Sequence, residues 1–261
     1  MISGTTLERL RSFRLAGLID ELVRQEENSS YRELGFEERL KLLVDAEYGR
    51  RVDAQAQRLL KQARVPKAVS IDDVDFSVKR NLKKQIFLPL LQNDWLKNGT
   101  NVIITGATGL GKTFLSSVIT HHLCRRGIAV RYQRTHRWLV DFLLAEERRH
   151  FPQTVGGFRR VPLMVFDEWL RDPITAPEAR LLLDLFDDRY QQHSVMLLSQ
   201  FKVADWHGRF LDPTLADAIL DRIVHNAVRF ELVGDSMRRS SPDGKNGGTS
   251  LRSDSLDIDN S

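Results

Sequence analysis

The residues with the clearest chemical potential are Gly106-Ala107-Thr108-Gly109-Leu110-Gly111-Lys112-Thr113, which fit G-x-x-x-x-G-K-[ST] at every fixed position. Glycines at these places let backbone N–H groups wrap a phosphate without Cβ clashes. Lys112 can neutralise β and γ phosphates, and the Thr113 hydroxyl can ligand Mg²⁺. A helix opening at Lys112 aims the positive end of its dipole at the anion. Gly106, Ala107, Thr108, Gly109, Leu110, Gly111, Lys112, Thr113 and Phe114 are therefore the expected nucleotide-binding set.

Three further groups could complete such a site. Val165-Phe166-Asp167-Glu168 ends an apolar run in two carboxylates. In P-loop proteins an Asp here holds Mg²⁺, and a Glu beside it can polarise an attacking water. Glu168 separates a hydrolase from a kinase, whose nucleophile belongs to a second substrate. Ser199-Gln200 follows the next apolar run, at the sheet edge where α/β proteins bind ligands, so a polar side chain there would face the γ-phosphate; an ordinary strand-to-loop pair is the alternative. Arg222 lies off the apolar stripe of Leu215, Ala218 and Ile219. Presented to a neighbouring subunit's nucleotide, it would stabilise charge developing on the γ-phosphate; an ion pair within the chain is the alternative.

Elements to position these groups can be read from periodicity. Apolar residues at helical spacing run through 5–27, with Gly17 weakening the middle, and through 36–63 until Pro66 stops the second helix. They predict a small all-helical N-terminal domain over 1–65. Residues 66–80 read as a linker and 80–97 as a helix kinked at Pro89. Beyond residue 100 the texture becomes α/β. Strand-like runs at Asn101–Thr105, 129–132, 162–166, 195–199 and 228–232 alternate with helical stretches at 112–126, 135–148, 176–192 and 214–227. That alternation predicts a parallel sheet covered by helices on both faces. The domain so defined spans 66–239, and a polar tail, expected to be disordered, covers 240–261.

Composition narrows the class. The chain has 261 residues, 41% of them hydrophobic, and one cysteine, Cys124. A disulfide framework and a cysteine-based zinc site are excluded, and Cys124, on an amphipathic helix, is expected in the core. The seven histidines show no metal-ligand spacing, and His121 and His122, being adjacent, point to different sides of a helix. No apolar run reaches membrane-spanning length and no secretory signal leads the chain, so a cytoplasmic protein with no membrane partner is expected. Net charge is +4 but uneven: residues 50–98 carry 11 basic and 5 acidic side chains, after an acidic start. Such a block suits a polyanion or a solvated helix face.

Together with D-D-R-Y at 187–190, D-P-T-L-A-D-A-I-L-D-R-I-V-H-N-A at 212–227 and G-D-S-M-R at 234–238, these motifs resemble the IstB helper ATPases of bacterial insertion sequences. These belong to the AAA+ class, close to DnaC helicase loaders and DnaA initiators, and the resemblance covers about residues 5–239. It implies an AAA+ ATPase domain with a short or absent lid. It also implies ATP and Mg²⁺ as cofactors, dimers that assemble further on double-stranded DNA with ATP, and a partner transposase. Carried over by residue, Lys112 and Thr113 form the Walker A pair and Asp167 and Glu168 the Walker B pair. Ser199 and Gln200 match sensor 1, Arg222 an arginine finger acting in trans, and Arg238 the sensor-2 arginine. The family's Trp-Gly-Leu is Trp169-Leu170-Arg171 here, so the following loop is expected to differ.

Duplex DNA needs only phosphate neutralisation for low-specificity binding. The candidates are Arg50, Arg51, Arg58, Lys61, Arg64, Lys79, Arg80, Lys83 and Lys84, with Arg148, Arg149, Arg159 and Arg160 in the ATPase body. The leading expectation is an ATPase that assembles on DNA and delivers target DNA to a transposase. A DnaC-like helicase loader and a nucleotide-switched DNA-architectural protein with negligible turnover are the alternatives.

Overall fold

The computed structural model describes residues 3–66, 68–147, 158 and 160–237. Five strands form one parallel sheet: β1 (Asn101–Thr105), β2 (Val130–Arg134), β3 (Leu163–Asp167), β4 (Ser194–Ser199) and β5 (Ala227–Glu231). Their order across the sheet is β2-β3-β4-β1-β5. Thr105 pairs with Ser199, and Val165 pairs with Met196. The strand leading into the glycine loop and the strand ending in Asp167 are thus separated by β4.

Alternating residues of each strand feed two apolar layers, as a sheet covered on both faces requires. Val102, Ile104, Val165 and Met196 pack with Leu115, Ile119, Leu123 and Cys124 of α6 (Lys112–Arg125). Ile103, Met164, Phe166 and Leu197 pack on the other face. Their partners come from α7 (Thr135–Glu147), α8 (Ala176–Arg189) and α9 (Pro213–Val224). Cys124 is fully buried, as expected of a core thiol, and burial raises its pKa to about 11.

The N-terminal helices are α1 (Gly4–Ser12), α2 (Ala16–Glu27) and α3 (Phe36–Ala63). The predicted helix over 5–27 is broken at Arg14, which has a φ of 60°. Gly17 does not weaken a helix middle. It opens α2 and lets α3 approach, since a Cβ there would lie 2.8 Å from the Ala46 carbonyl. The last turns of α3 pack on the α/β body. Leu59 and Ala63 share the core layer of β1 and α6. The region 80–97 is not one kinked helix. Short helices α4 (Lys84–Phe87) and α5 (Asp94–Lys97) flank a 3₁₀ turn at Leu88–Leu91, because Pro89 cannot continue an α-helix.

The α2–α3 contact is polar. Glu47 of α3 accepts the Gly17 and Leu18 amides at 2.9 and 3.3 Å, capping α2 with a carboxylate, and pairs with Arg51 at 2.6 Å. The Arg51 hydrogen bond, opposed by burial and helped by the α2 amides, lowers its pKa from 4.5 to about 2. A folded-state pKa below the unfolded value stabilises above the unfolded value and is lost as pH falls. The thermal midpoint of wild type is therefore expected to exceed that of Glu47→Gln at pH 7. The gap should close as pH drops from about 4.5 toward 2, measured by circular dichroism; a gap independent of pH would contradict this assignment.

Candidate functional site

The glycine loop is fixed at both ends. Gly106 donates to the Ser199 carbonyl at 3.2 Å, and Leu110 is buried in the core. Gly106 has a φ of 144°, and a Cβ on it would meet the Leu232 carbonyl at 2.5 Å, so no other residue fits. Gly111 caps α6 at a φ of 88° and turns the chain so that Lys112 starts the helix. The Lys112 ammonium donates to the Gly106 and Ala107 carbonyls at 2.6 and 2.9 Å, above the loop it would share with a phosphate. Phe114 is half-buried behind it.

Thr113 and Asp167 meet across 54 residues of chain. The Thr113 hydroxyl donates to Asp167 Oδ2 at 2.8 Å. Asp167 Oδ1 accepts the Glu168 amide at 2.8 Å, and the Thr135 hydroxyl donates to the Asp167 carbonyl at 2.9 Å. Tyr132 of β2 also donates its hydroxyl to Asp167 Oδ2. Burial, reinforced by the Asp167 charge, raises the Tyr132 pKa, so the phenol stays a donor. Tyr132 is a site residue that the motifs miss. The paired hydroxyl and carboxylate are hard oxygen donors of the kind Mg²⁺ takes. Among the described residues no cluster of three or more His, Cys, Asp or Glu offers another metal site.

Glu168 leaves β3 at a φ of 57° and is followed by Trp169, fully buried among Phe166, Phe186, Trp206 and Phe210. That anchor points Glu168 toward the loop side of the sheet. Its carboxylate pairs with Arg171 at 2.5 Å and faces Arg134 of β2 at 4.0 Å. Leu170 adopts a φ of 57°, where the resembled family has glycine, so the loop departs by carrying a side chain at a strained position.

Ser199 is turned into the protein interior. It is fully buried, and its hydroxyl donates to the Trp169 carbonyl at 2.8 Å and accepts the Phe201 amide at 3.1 Å. It therefore holds the Glu168–Trp169 turn against β4, leaving exposed Gln200 as the polar side chain at this strand end.

Arg222 lies at the opposite end of the sheet from the glycine loop. Its carbonyl accepts from the Asn101 side chain at 3.4 Å, and Asn101 begins the strand that Thr105 ends. Four residue steps of β-strand span about 13 Å. The Arg222 guanidinium pairs with Asp187 and donates to the Ala218 carbonyl at 2.6 Å. The neighbouring motif arginine, Arg189, is 1% exposed and donates to the Phe158 and Ser194 carbonyls at 2.8 and 2.6 Å; burial lowers its pKa to about 9.

The basic candidates separate by environment. Arg58, Lys61, Arg64, Lys79, Lys83, Lys84 and Arg160 are exposed. Arg50 and Arg51 are exposed but tied to Glu47. Arg80 differs from these: it is 1% exposed and lies against the glycine loop rather than on the surface. Arg148, Arg149, Arg159 and Arg238, and the tail from 240, lie outside the described residues.

A five-stranded parallel sheet of this order, with the glycine loop after β1 and Asp167-Glu168 at the end of β3, defines a P-loop nucleotide-binding fold of the AAA+ class. The family model described as IstB-like ATP binding protein matches residues 6–243. The chain belongs to that family of ATP-binding proteins. It is 32% identical over 240 residues to the insertion sequence ATP-binding protein y4pL of Sinorhizobium fredii, covering 92% of this chain and 98% of that one. To y4uH of the same organism it is 34% identical, covering 92% and 96%. Among solved structures, DnaI shares the fold at 14% identity, with a TM-score of 0.55 over 68% of this chain and 94% of that one. Among the described residues no helix is long and apolar enough to cross a membrane.

Proposed function

We propose that the protein is an ATP-hydrolysing AAA+ helper that assembles on duplex DNA with little sequence preference, delivers target DNA to a transposase and stimulates it. The observation that carries this reading is the placement of Arg222. One chain brings together the glycine loop, the Thr113–Asp167 pair and Glu168, but its candidate arginine lies a strand length away at the other end of β1. Such a site completes itself only between neighbouring copies, and a DNA lattice lines copies up. The insertion-sequence context of the relatives supports the transposase as partner.

In this reading the loop amides and Lys112 bind the phosphates. Thr113 and Asp167 would hold Mg²⁺, which when bound offsets phosphate charge, and Tyr132 keeps the Asp167 carboxylate aimed at Thr113. Glu168 takes the proton from the attacking water once it exchanges Arg171 for that water. Exposed Arg58, Lys61 and Arg64 along α3, with Lys79, Lys83 and Lys84, supply phosphate contacts to DNA.

Hydrolysis and sedimentation measured together test this. With generic duplex DNA and ATP, large assemblies and a rise in turnover are expected, both weakening as salt is raised. A protein that stays small and hydrolyses ATP equally without DNA would overturn the shared-site reading.

A further inference from the structure

Arg80 is a buried cation with no ion pair among the described residues. It lies in the segment between the N-terminal helices and α4, and only 1% of it is exposed. Its backbone is pinned: its amide donates to the Val78 carbonyl at 2.8 Å, and its carbonyl accepts the Val233 amide at 3.2 Å. The next residue, Asn81, donates to the Glu231 carbonyl at 3.0 Å. The guanidinium is thereby held against the glycine loop. A Cβ built on Gly111 would lie 3.0 Å from its Nη1.

Its present acceptors are poor. Nη1 donates to the Met237 sulfur at 3.0 Å, and Nη2 to the Asp75 carbonyl at 3.3 Å. Nε has no acceptor among the described residues. The Asp75 carboxylate is taken by the Ser77 amide and hydroxyl, at 2.8 and 2.6 Å. A thioether is a weak acceptor, whereas a guanidinium presents five donors suited to carboxylate or phosphate oxygens. Taking a cation out of water is unfavourable unless an anion offsets the lost hydration. Burial lowers the Arg80 pKa, only partly offset by the Asp75 charge. Met237 reaches the guanidinium because its own amide donates to the Gly109 carbonyl at 3.0 Å, folding residues 233–237 over the glycine loop.

We infer that Arg80 is a further nucleotide-binding residue, whose guanidinium exchanges the Met237 sulfur for phosphate oxygens of the nucleotide held by the Gly106–Thr113 loop. This rests on that loop's binding ATP. It assigns the 77–81 segment and the 233–237 segment to the nucleotide site, although neither carries a phosphate-binding motif.

The alternative is that Arg80 only clamps three segments together, and the two roles separate by experiment. The full-length chain as wild type, Arg80→Met and Arg80→Lys would be compared for ATP and ADP affinity by calorimetry. The thermal midpoint would be followed with and without nucleotide. Arg80→Met is expected to keep the nucleotide-free midpoint within a few degrees and to bind ATP at least tenfold more weakly. Its nucleotide-induced thermal shift should shrink accordingly, with Arg80→Lys between it and wild type. A clamp would instead lower the nucleotide-free midpoint and leave affinity and shift intact, which would overturn the inference. If Arg80→Met does not fold, Arg80→Lys decides by the same two readouts: unchanged affinity and shift reject the inference, and weakened ones support it. A wild type that binds no ATP would instead refute the P-loop reading itself, whereas loss confined to Lys112→Ala with Arg80 variants binding normally would refute Arg80 alone.

Discussion

Glu168→Gln is expected to bind ATP as tightly as wild type and to hydrolyse it at least about a hundredfold more slowly, the usual range for removing a general base. The amide keeps the volume and the hydrogen-bonding reach of the carboxylate but cannot take a proton. The main supports of the turn do not depend on the charge. Trp169 is anchored in an aromatic cluster, its amide donates to the Leu198 carbonyl at 2.8 Å, and Ser199 secures its carbonyl. The pair with Arg171 at 2.5 Å is half exposed, so its loss changes stability little. Because ATP then persists, ATP-dependent assemblies on DNA should last longer, visible as slower dissociation in sedimentation or by filter binding. Turnover equal to wild type would remove the hydrolytic mechanism and favour a protein that uses nucleotide only as a switch.

Much of this site is legible along the chain, because its chemistry is local. The glycine loop needs three positive-φ positions within six residues, and only glycine supplies them cheaply, at φ values of 144°, 94° and 88°. The buried strands are legible as apolar runs, and their observed bounds differ by one or two residues, as at β2, which extends to Arg134. The rest depends on strand order, which periodicity does not carry. With β2 beside β3, Tyr132 reaches Asp167. With β4 between β3 and β1, the Ser199 hydroxyl reaches the Trp169 carbonyl. Arg80 sits in a run with Lys79, Lys83 and Lys84 and has the same local pattern as its exposed neighbours. The crossing of residues 233–237 over the glycine loop, a contact between distant parts of the chain, helps to bury it. Pro66 marks where α3 ends, but the packing of Leu59 and Ala63 into the layer of β1 and α6 leaves no local signal.

Arg222→Ala is expected to keep ATP binding and to lose about a thousandfold in DNA-stimulated turnover, the lower end of what an arginine finger contributes. That factor corresponds to about 4 kcal/mol of transition-state stabilisation. The contact Arg222 makes within its own chain is much weaker. Its side chain is 29% exposed and its partner Asp187 is 47% exposed, and such surface pairs contribute about 1 kcal/mol or less. A neighbouring nucleotide can therefore draw Arg222 away from Asp187, and the variant should fold with nearly wild-type stability. Position then makes a stricter demand. Since Arg222 and the glycine loop lie at opposite ends of β1, an arginine finger at this position would have to serve the loop of another chain. Lys112→Ala, which cannot bind the phosphates, still carries an intact Arg222, and Arg222→Ala still carries an intact loop. Each alone should be inactive, and an equimolar mixture on DNA should regain a measurable fraction of wild-type turnover, read as phosphate release. If the mixture stays inactive although both proteins assemble, Arg222 is not shared between copies, and its pair with Asp187 is structural.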